Sequence, residues 1–256
     1  MASFGVVAPN SVTVMCGRFV GAFTVGDVVA EFSEALTEAH ISLELPQAEN
    51  LFSSNFNTAP THHVPVLRYV DGHVMVEEMQ WGLVPAWSKD PSVGSKMINA
   101  RSETVTEKPS FRGLVQKYRC IVPMSGFYEW DRTDPKHKIP YFVTRADGHL
   151  MLAAGLWTSS PALGGKLTFT MITRESVGDL SHIHNRCLVE LDASDALEWM
   201  AEPVAPLEMF DPNRQPRVAT QRVSTRVNSV MNNDPSLIEA DDSEPQVVEP
   251  SQDTLF

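Results

Sequence analysis

Four polar side chains stand where a strand-rich chain would ordinarily show apolar residues or turns: Cys16 in "TVMCGRFV", Asn99 in "MINARSET", Glu129 in "GFYEW" and His184 in "HIHNRC". A cysteine, a histidine and a glutamate in one chain are the parts of a nucleophile with its acid–base partners, as in a cysteine hydrolase acting on peptides in trans. Each also has an ordinary explanation when taken singly. A glutamate between Tyr128 and Trp130 reads as the outward residue of a strand, and a lone histidine as a satisfied core or surface group. Cys16 differs in one respect: it directly follows Met15, so a second translation start there makes the thiol-bearing residue the first of the chain.

Metal chemistry has little to stand on. The three cysteines, Cys16, Cys120 and Cys187, are odd in number and widely spaced, with no CxxC and no Cys/His cluster of zinc spacing, so neither a disulfide framework nor a metal site is expected. His62 and His63, and the pair His182 and His184, lack acidic or thiol neighbours at the usual offsets. No cofactor is implied.

The elements that must position these residues read as follows. Residues 1 to 14 are small and apolar without a period, a leader or a mis-assigned start. Val28, Phe32 and Leu36 recur every four residues behind Asp27, which predicts a helix capped by Asp27. Beyond Pro60 the chain turns strand-like in "VPVLRYV", "HVMVEEMQW", "RCIVP", "GFYEW", "PYFVT", "HLMLAAGLW" and "LTFTMIT", with the cleanest alternation at Leu167, Phe169 and Met171. A second helix is predicted over "DASDALEWMAE", capped by Asp192 or Ser194, with Leu197 and Met200 inward. Many strands with few helices predict an α+β domain, built from curved, mostly antiparallel sheets, over residues 15–239.

Charge divides the chain. Of a formal net charge of -12, half falls on Glu239, Asp241, Asp242, Glu244, Glu249 and Asp253, after the last basic residue, Arg226. The acidic, Pro-bearing segment 240–256 is expected to be disordered. The remainder is mildly acidic and leaves room for a basic groove. No stretch approaches the roughly 20 apolar residues of a membrane span, and the first residues lack a secretory pattern, so a cytoplasmic location is expected.

The four polar residues lie within a longer ordered set: "MCGRF", "FNTAP", "WGLVPAWSKD", "INARSET", "RCIVPMSGFYEW", "IPYF", "AAGLW", "IHNR" and "RVNSV". In order and spacing this set resembles the SOS response-associated peptidase family, from about Met15 to Leu237. The resemblance implies a compact α+β domain with a barrel-like core and a positively charged channel. It also implies covalent cross-linking to abasic sites in single-stranded DNA, a DNA-damage response, and a nucleoid-associated monomer when DNA is bound.

Under that resemblance Cys16 must become residue one, by a start at Met15 with methionine removal or by autoproteolysis. Its amine, with an ordinary pKa of about 7.7 to 8.0, forms a Schiff base with the aldehyde of the ring-opened sugar; its thiol, ordinarily near 8.5, closes a thiazolidine. Asn99 resembles the asparagine that holds the amine and the opened sugar. Glu129 resembles the acid/base, its pKa expected to be raised by aromatic surroundings, and His184 the residue that protonates the sugar oxygen. Arg18, Arg101 and Arg186 are implied phosphate contacts; Asn57, Pro60 and Trp87 are implied to touch the backbone or stack on a base. Trp81 reads as core.

The family's usual Met-Pro after the His-x-Arg is replaced by Cys187 and Leu188, with Cys187 expected to be a small buried hydrophobe. Gln252, Leu255 and Phe256 resemble the short peptide by which bacterial replication proteins dock on the sliding clamp. Two alternatives stay open: the trans-acting cysteine peptidase, and a module that binds single-stranded or modified DNA without chemistry.

Overall fold

The computed structural model describes residues 16–45, 51–131, 133, 138–178, 180–214 and 216–241. Residues 1–14 and the terminal Gln252, Leu255 and Phe256 lie outside the described residues. In chain order the elements are β1 (Arg18–Gly21), α1 (Val25–Ala39), β2 (Ser42–Glu44), β3 (Asn55–Thr58), β4 (His63–Val70), β5 (His73–Trp81), β6 (Asn99–Arg101), α2 (Leu114–Lys117) and β7 (Arg119–Met124). There follow β8 (Gly126–Asp131), β9 (Ile139–Arg145), β10 (Met151–Ser160), β11 (Lys166–Glu175), α3 (Leu180–Ile183), β12 (Arg186–Leu188), β13 (Glu190–Leu191), α4 (Ala193–Ala201) and β14 (Val218–Arg222). No helix among the described residues is long and apolar enough to cross a membrane.

Five strands close into a ring. β5, β4, β7, β10 and β11 are antiparallel neighbours in that order, and β11 returns parallel to β5 through Thr168 opposite Gln80 and Phe169 opposite Trp81. Short strands hang from this barrel, among them β6 and β12, both paired to β11. A second, antiparallel sheet runs β14–β9–β8–β1–β3. The class is α+β, as the strand-rich sequence predicts, with the barrel-like core that the family resemblance implies.

The alternation expected at Leu167, Phe169 and Met171 is only half of the pattern on β11, because every residue from Thr168 to Arg174 is buried. The barrel strands are covered on both faces. One face contributes Leu67, Val76, Ile121, Leu152, Ala154 and Ile172 to a cluster with Phe32 of α1 and Trp199 of α4. The other contributes Val66, Met79, Trp81, Val122, Ala153, Phe169 and Met171, which meet Phe19, Phe127 and Val143 of the second sheet and Cys16 just before it. Buried side chains of this size contribute about 1.5 to 3 kcal/mol each.

The helices stand where the periodicity puts them, with one correction. α1 begins at Val25, not behind Asp27; Thr24 is the cap, its hydroxyl accepting from the Asp27 amide at 3.2 Å while the Asp27 carboxylate accepts from the Thr24 amide at 2.7 Å. Asp27 is the reciprocal member of a capping box, which explains why an acidic residue there looked like a cap by itself. The Thr24 amide and the Thr24 hydroxyl, each donating to the carboxylate at 2.7 Å, hold the Asp27 carboxyl below its usual pKa. Asp192 caps α4 by accepting from the Asp195 amide, and Leu197 and Met200 are buried.

Candidate active site

The chain enters β1 through Cys16, whose φ of 40° is in the left-handed region, uncommon for a residue with a side chain. The turn brings backbone nitrogen and thiol to the same acceptor. The Cys16 amide donates to Glu129 Oε2 at 2.9 Å and the thiol to the same oxygen at 3.2 Å.

Glu129 is delivered by β8, which pairs with β1 so that Arg18 faces Tyr128 and Phe19 faces Phe127. Strand alternation puts Phe127 and Glu129 on the face toward Cys16, and Tyr128 on the opposite face with Val20 and Val227. Glu129 is therefore inward, 1% exposed, and not the outward residue that its flanks alone suggest. Its other oxygen accepts from the Trp130 amide at 3.3 Å. Burial, and then the charge and hydrogen bond of Glu129, raise the Cys16 thiol well above its ordinary pKa.

His184 follows α3, which packs beside β8. It is buried, and its Nδ1 accepts from the Arg186 amide at 3.1 Å. The same Nδ1 lies 3.3 Å from the Arg186 carbonyl, so the backbone of Arg186 holds that edge of the ring and leaves Nε2 on the other. The neighbours of His184 and of Asn99, namely Leu180, Cys187 and Leu188 for the first and Ile98 for the second, share the apolar cluster of Cys16. Asn99 itself opens β6, opposite Met171 of β11. Cys16 and Glu129 are thus in direct contact, while His184 and Asn99 flank the same cluster on segments that both pair with β11.

The residues expected to contact DNA differ in how free they are. Trp87 is 70% exposed, and Arg101 is exposed at the end of β6. Pro60 is half-buried just before Thr61, whose φ is 75°. Asn57 is buried and its amide is spent internally: Nδ2 donates to the carbonyls of Ser229 and Asn232 at 2.9 Å each and of Val227 at 3.2 Å, while Oδ1 accepts from Arg18 at 2.9 Å. Arg18 also donates to the Val227 carbonyl at 3.0 Å, and burial lowers its pKa. Arg186 has its fork on Glu103, with Nη2 to Oε2 at 2.9 Å, and on the Thr173 carbonyl at 2.7 Å. Asn57 and Arg186 are internal fasteners in this arrangement.

The model of the SOS response associated peptidase (SRAP) family matches residues 15–230. The chain belongs to the SRAP family. It is 34% identical over 232 residues to the abasic site processing protein YoqW of Bacillus subtilis, covering 88% of this chain and all of that one. It is 30% identical over 192 residues to the abasic site processing protein YedK of Escherichia coli, covering 75% and 82%, and 31% over 228 residues to the abasic site processing protein HMCES of Gallus gallus, covering 74% and 67%. Among solved structures, a protein of Bacteroides thetaiotaomicron superposes with a TM-score of 0.65 at 23% identity, covering 82% of this chain and 96% of that one, which establishes a shared fold.

Within this SRAP domain, Glu103 is the site neighbour that motif reading passed over, although it stands inside "INARSET" four residues after Asn99. Burial works against its charge, but the hydrogen bond and charge of Arg186 outweigh that and hold its carboxyl below the usual range. Cys187 is buried, its sulfur 3.7 Å from the Glu175 carbonyl, and burial raises its pKa.

Proposed function

We propose that this chain captures abasic sites in single-stranded DNA covalently, through Cys16 once that residue is freed as the N-terminus. The observation that carries the reading is the double contact of Glu129 Oε2 with the nitrogen and the sulfur of Cys16, at 2.9 and 3.2 Å. These are the two atoms that must both bond to the sugar aldehyde. The neutral amine adds to the aldehyde carbon and water leaves, giving an imine. The thiol then adds to the imine carbon, its proton passes to the nitrogen, and a thiazolidine results with one water lost overall. A carboxylate oxygen touching both atoms is the group to carry that proton. Asn99 holds the amine and the opened sugar, and His184, acting as an imidazolium that returns to neutral imidazole, supplies a proton to the sugar oxygen.

The names of the relatives, abasic site processing proteins, support the substrate class. The family match beginning at residue 15 supports maturation just upstream of Cys16. Autoproteolysis uses the same contact, since Glu129 lies against the nitrogen that becomes the new amine. The trans-acting peptidase is the weaker reading. A hydrolytic cysteine needs a depressed thiol pKa, whereas burial and Glu129 raise that of Cys16. Arg18, Arg101, Pro60 and Trp87 line the path of the strand, and Gln252, Leu255 and Phe256 tether the domain to the sliding clamp; retention on clamp beads after changing Leu255 and Phe256 to Ala excludes that tether.

The test is a denaturing gel of protein beginning at Cys16 mixed with single-stranded DNA bearing one abasic site. A shifted band is expected, lost in Cys16→Ala. Cys16→Ser retains the amine and so forms only a linkage that borohydride must trap. Equal capture by chain still blocked upstream of Cys16 overturns the reading.

A further inference from the structure

We infer that Glu103 is a positioning residue for His184, acting through Arg186; the inference rests on the capture reading above for its kinetic arm only. Asn99 and His184 sit on separate short segments, β6 and the entry to β12, which pair with the same end of β11. Met171 to Thr173 of β11 face Asn99 to Arg101, and Thr173 to Glu175 face Leu188 to Arg186. Three-residue strands hold few ladder bonds, so each segment needs a further anchor to keep its register.

Glu103 and Arg186 supply that anchor. The carboxylate of Glu103, in the turn just after β6, takes both terminal nitrogens of the Arg186 fork, the first residue of β12. A two-point Arg–carboxylate pair fixes orientation as well as distance. The Thr173 carbonyl, between the two segments, accepts from the Ser102 amide at 2.8 Å and from Arg186 Nη2 at 2.7 Å. Guanidinium, carboxylate and carbonyl therefore buckle β6 to β12 across β11.

Arg186 is also the residue whose amide bonds to His184 Nδ1 at 3.1 Å. The Arg186 carbonyl lies 3.3 Å from the same nitrogen, so holding the start of β12 in place holds the imidazole by its Nδ1 edge, with Nε2 left to meet substrate. The Arg186 side chain is 10% exposed and that of Glu103 49%. Glu103→Gln leaves the largely buried guanidinium held by Thr173, so a thermal melt of that variant accompanies the test to separate a positional role from a folding one.

The test uses the whole chain processed to begin at Cys16. In wild type, 15N NMR of the His184 ring is expected to show widely split shifts, as for an imidazole held in one tautomer by the Arg186 backbone. Glu103→Gln draws the two toward the values of a free imidazole, and Glu103→Asp restores part of the split. The single-turnover capture rate falls at least about tenfold in Glu103→Gln at unchanged DNA affinity, since small misplacements of a reacting group are costly. In a His184→Ala background the same change costs less than about twofold, as expected for residues acting through one another. An unchanged ring spectrum overturns the inference, as does a full Glu103→Gln cost without His184. Tighter DNA binding with faster capture overturns it too, by making Glu103 a competitor of phosphate for Arg186. If wild type captures no DNA, the functional reading fails while the NMR arm still decides the role of Glu103.

Discussion

Glu129 offers one oxygen to two atoms of Cys16, and that economy fixes what its replacement does. Glu129→Gln keeps the size and a hydrogen bond but cannot accept a proton, so the capture rate measured by gel is expected to fall on the order of 100-fold. A second carboxyl, Glu190 on β13, has no such work. It is buried, its oxygens have no hydrogen-bond partner among the described residues, and Arg145 at 3.8 Å is engaged by Asp147 at 2.7 Å. Burial, only partly offset by the Arg145 charge, pushes its pKa from 4.5 up to about 8. A carboxyl with a raised folded pKa keeps its proton when the unfolded chain has lost it. Stability contributed by the protonated form is therefore complete below about pH 4.5 and lost as pH rises to about 8. Glu190→Gln should stabilise by a few kcal/mol at pH 8 and by almost nothing at pH 4.5, an order-of-magnitude figure checked by urea melts at both values.

Elements place these residues through close approaches that no side-chain pattern announces. Gly126 opens β8 against β9, where a Cβ would overlap the Val143 carbonyl and the Phe142 ring. Gly126→Ala is expected to destabilise by about 2 kcal/mol or more and to slow capture, because β8 must shift and carry Glu129 with it; thermal melts and the capture gel read the two effects. Asn57→Ala is expected to cost about 2 to 4 kcal/mol in chemical denaturation by removing one hydrogen-bond partner from each of three loop carbonyls, of which that of Asn232 has no other donor among the described residues, and one from Arg18. The helices and most strands were legible because α1 and α4 keep a helical period and the strands end at Gly or Pro. The capping box hid the true start of α1, since Asp27 satisfies the same rule as Thr24. Motif order made Cys16, Asn99, Glu129 and His184 legible, but not that Asn57 faces inward or that Arg186 is held by Glu103. Those depend on β3 meeting the 227–232 loop and β6 meeting β12, contacts between segments far apart in the chain.

At the scale of the molecule, an anionic protein must present a local cationic path to a polyanion. Arg101 and Arg18 are among few donors beside the site, so DNA affinity by fluorescence anisotropy should fall only on the order of tenfold between roughly 50 and 200 mM salt. Deleting the residues after Ala240 removes Asp241, Asp242, Glu244, Glu249 and Asp253, and should raise affinity for undamaged strand at low salt. The barrel has its own asymmetry. Four of its five joints are antiparallel, that of β4 with β7 being as short as two residue pairs, while the fifth combines two residue pairs with the less stable parallel pairing, β5 with β11. Breathing of the folded state begins at that seam, where amide deuterium uptake should run ahead of the β4–β5 hairpin. Since β11 carries the segments of both Asn99 and His184, the strand on which two of the candidate site residues are mounted borders the seam expected to open most readily.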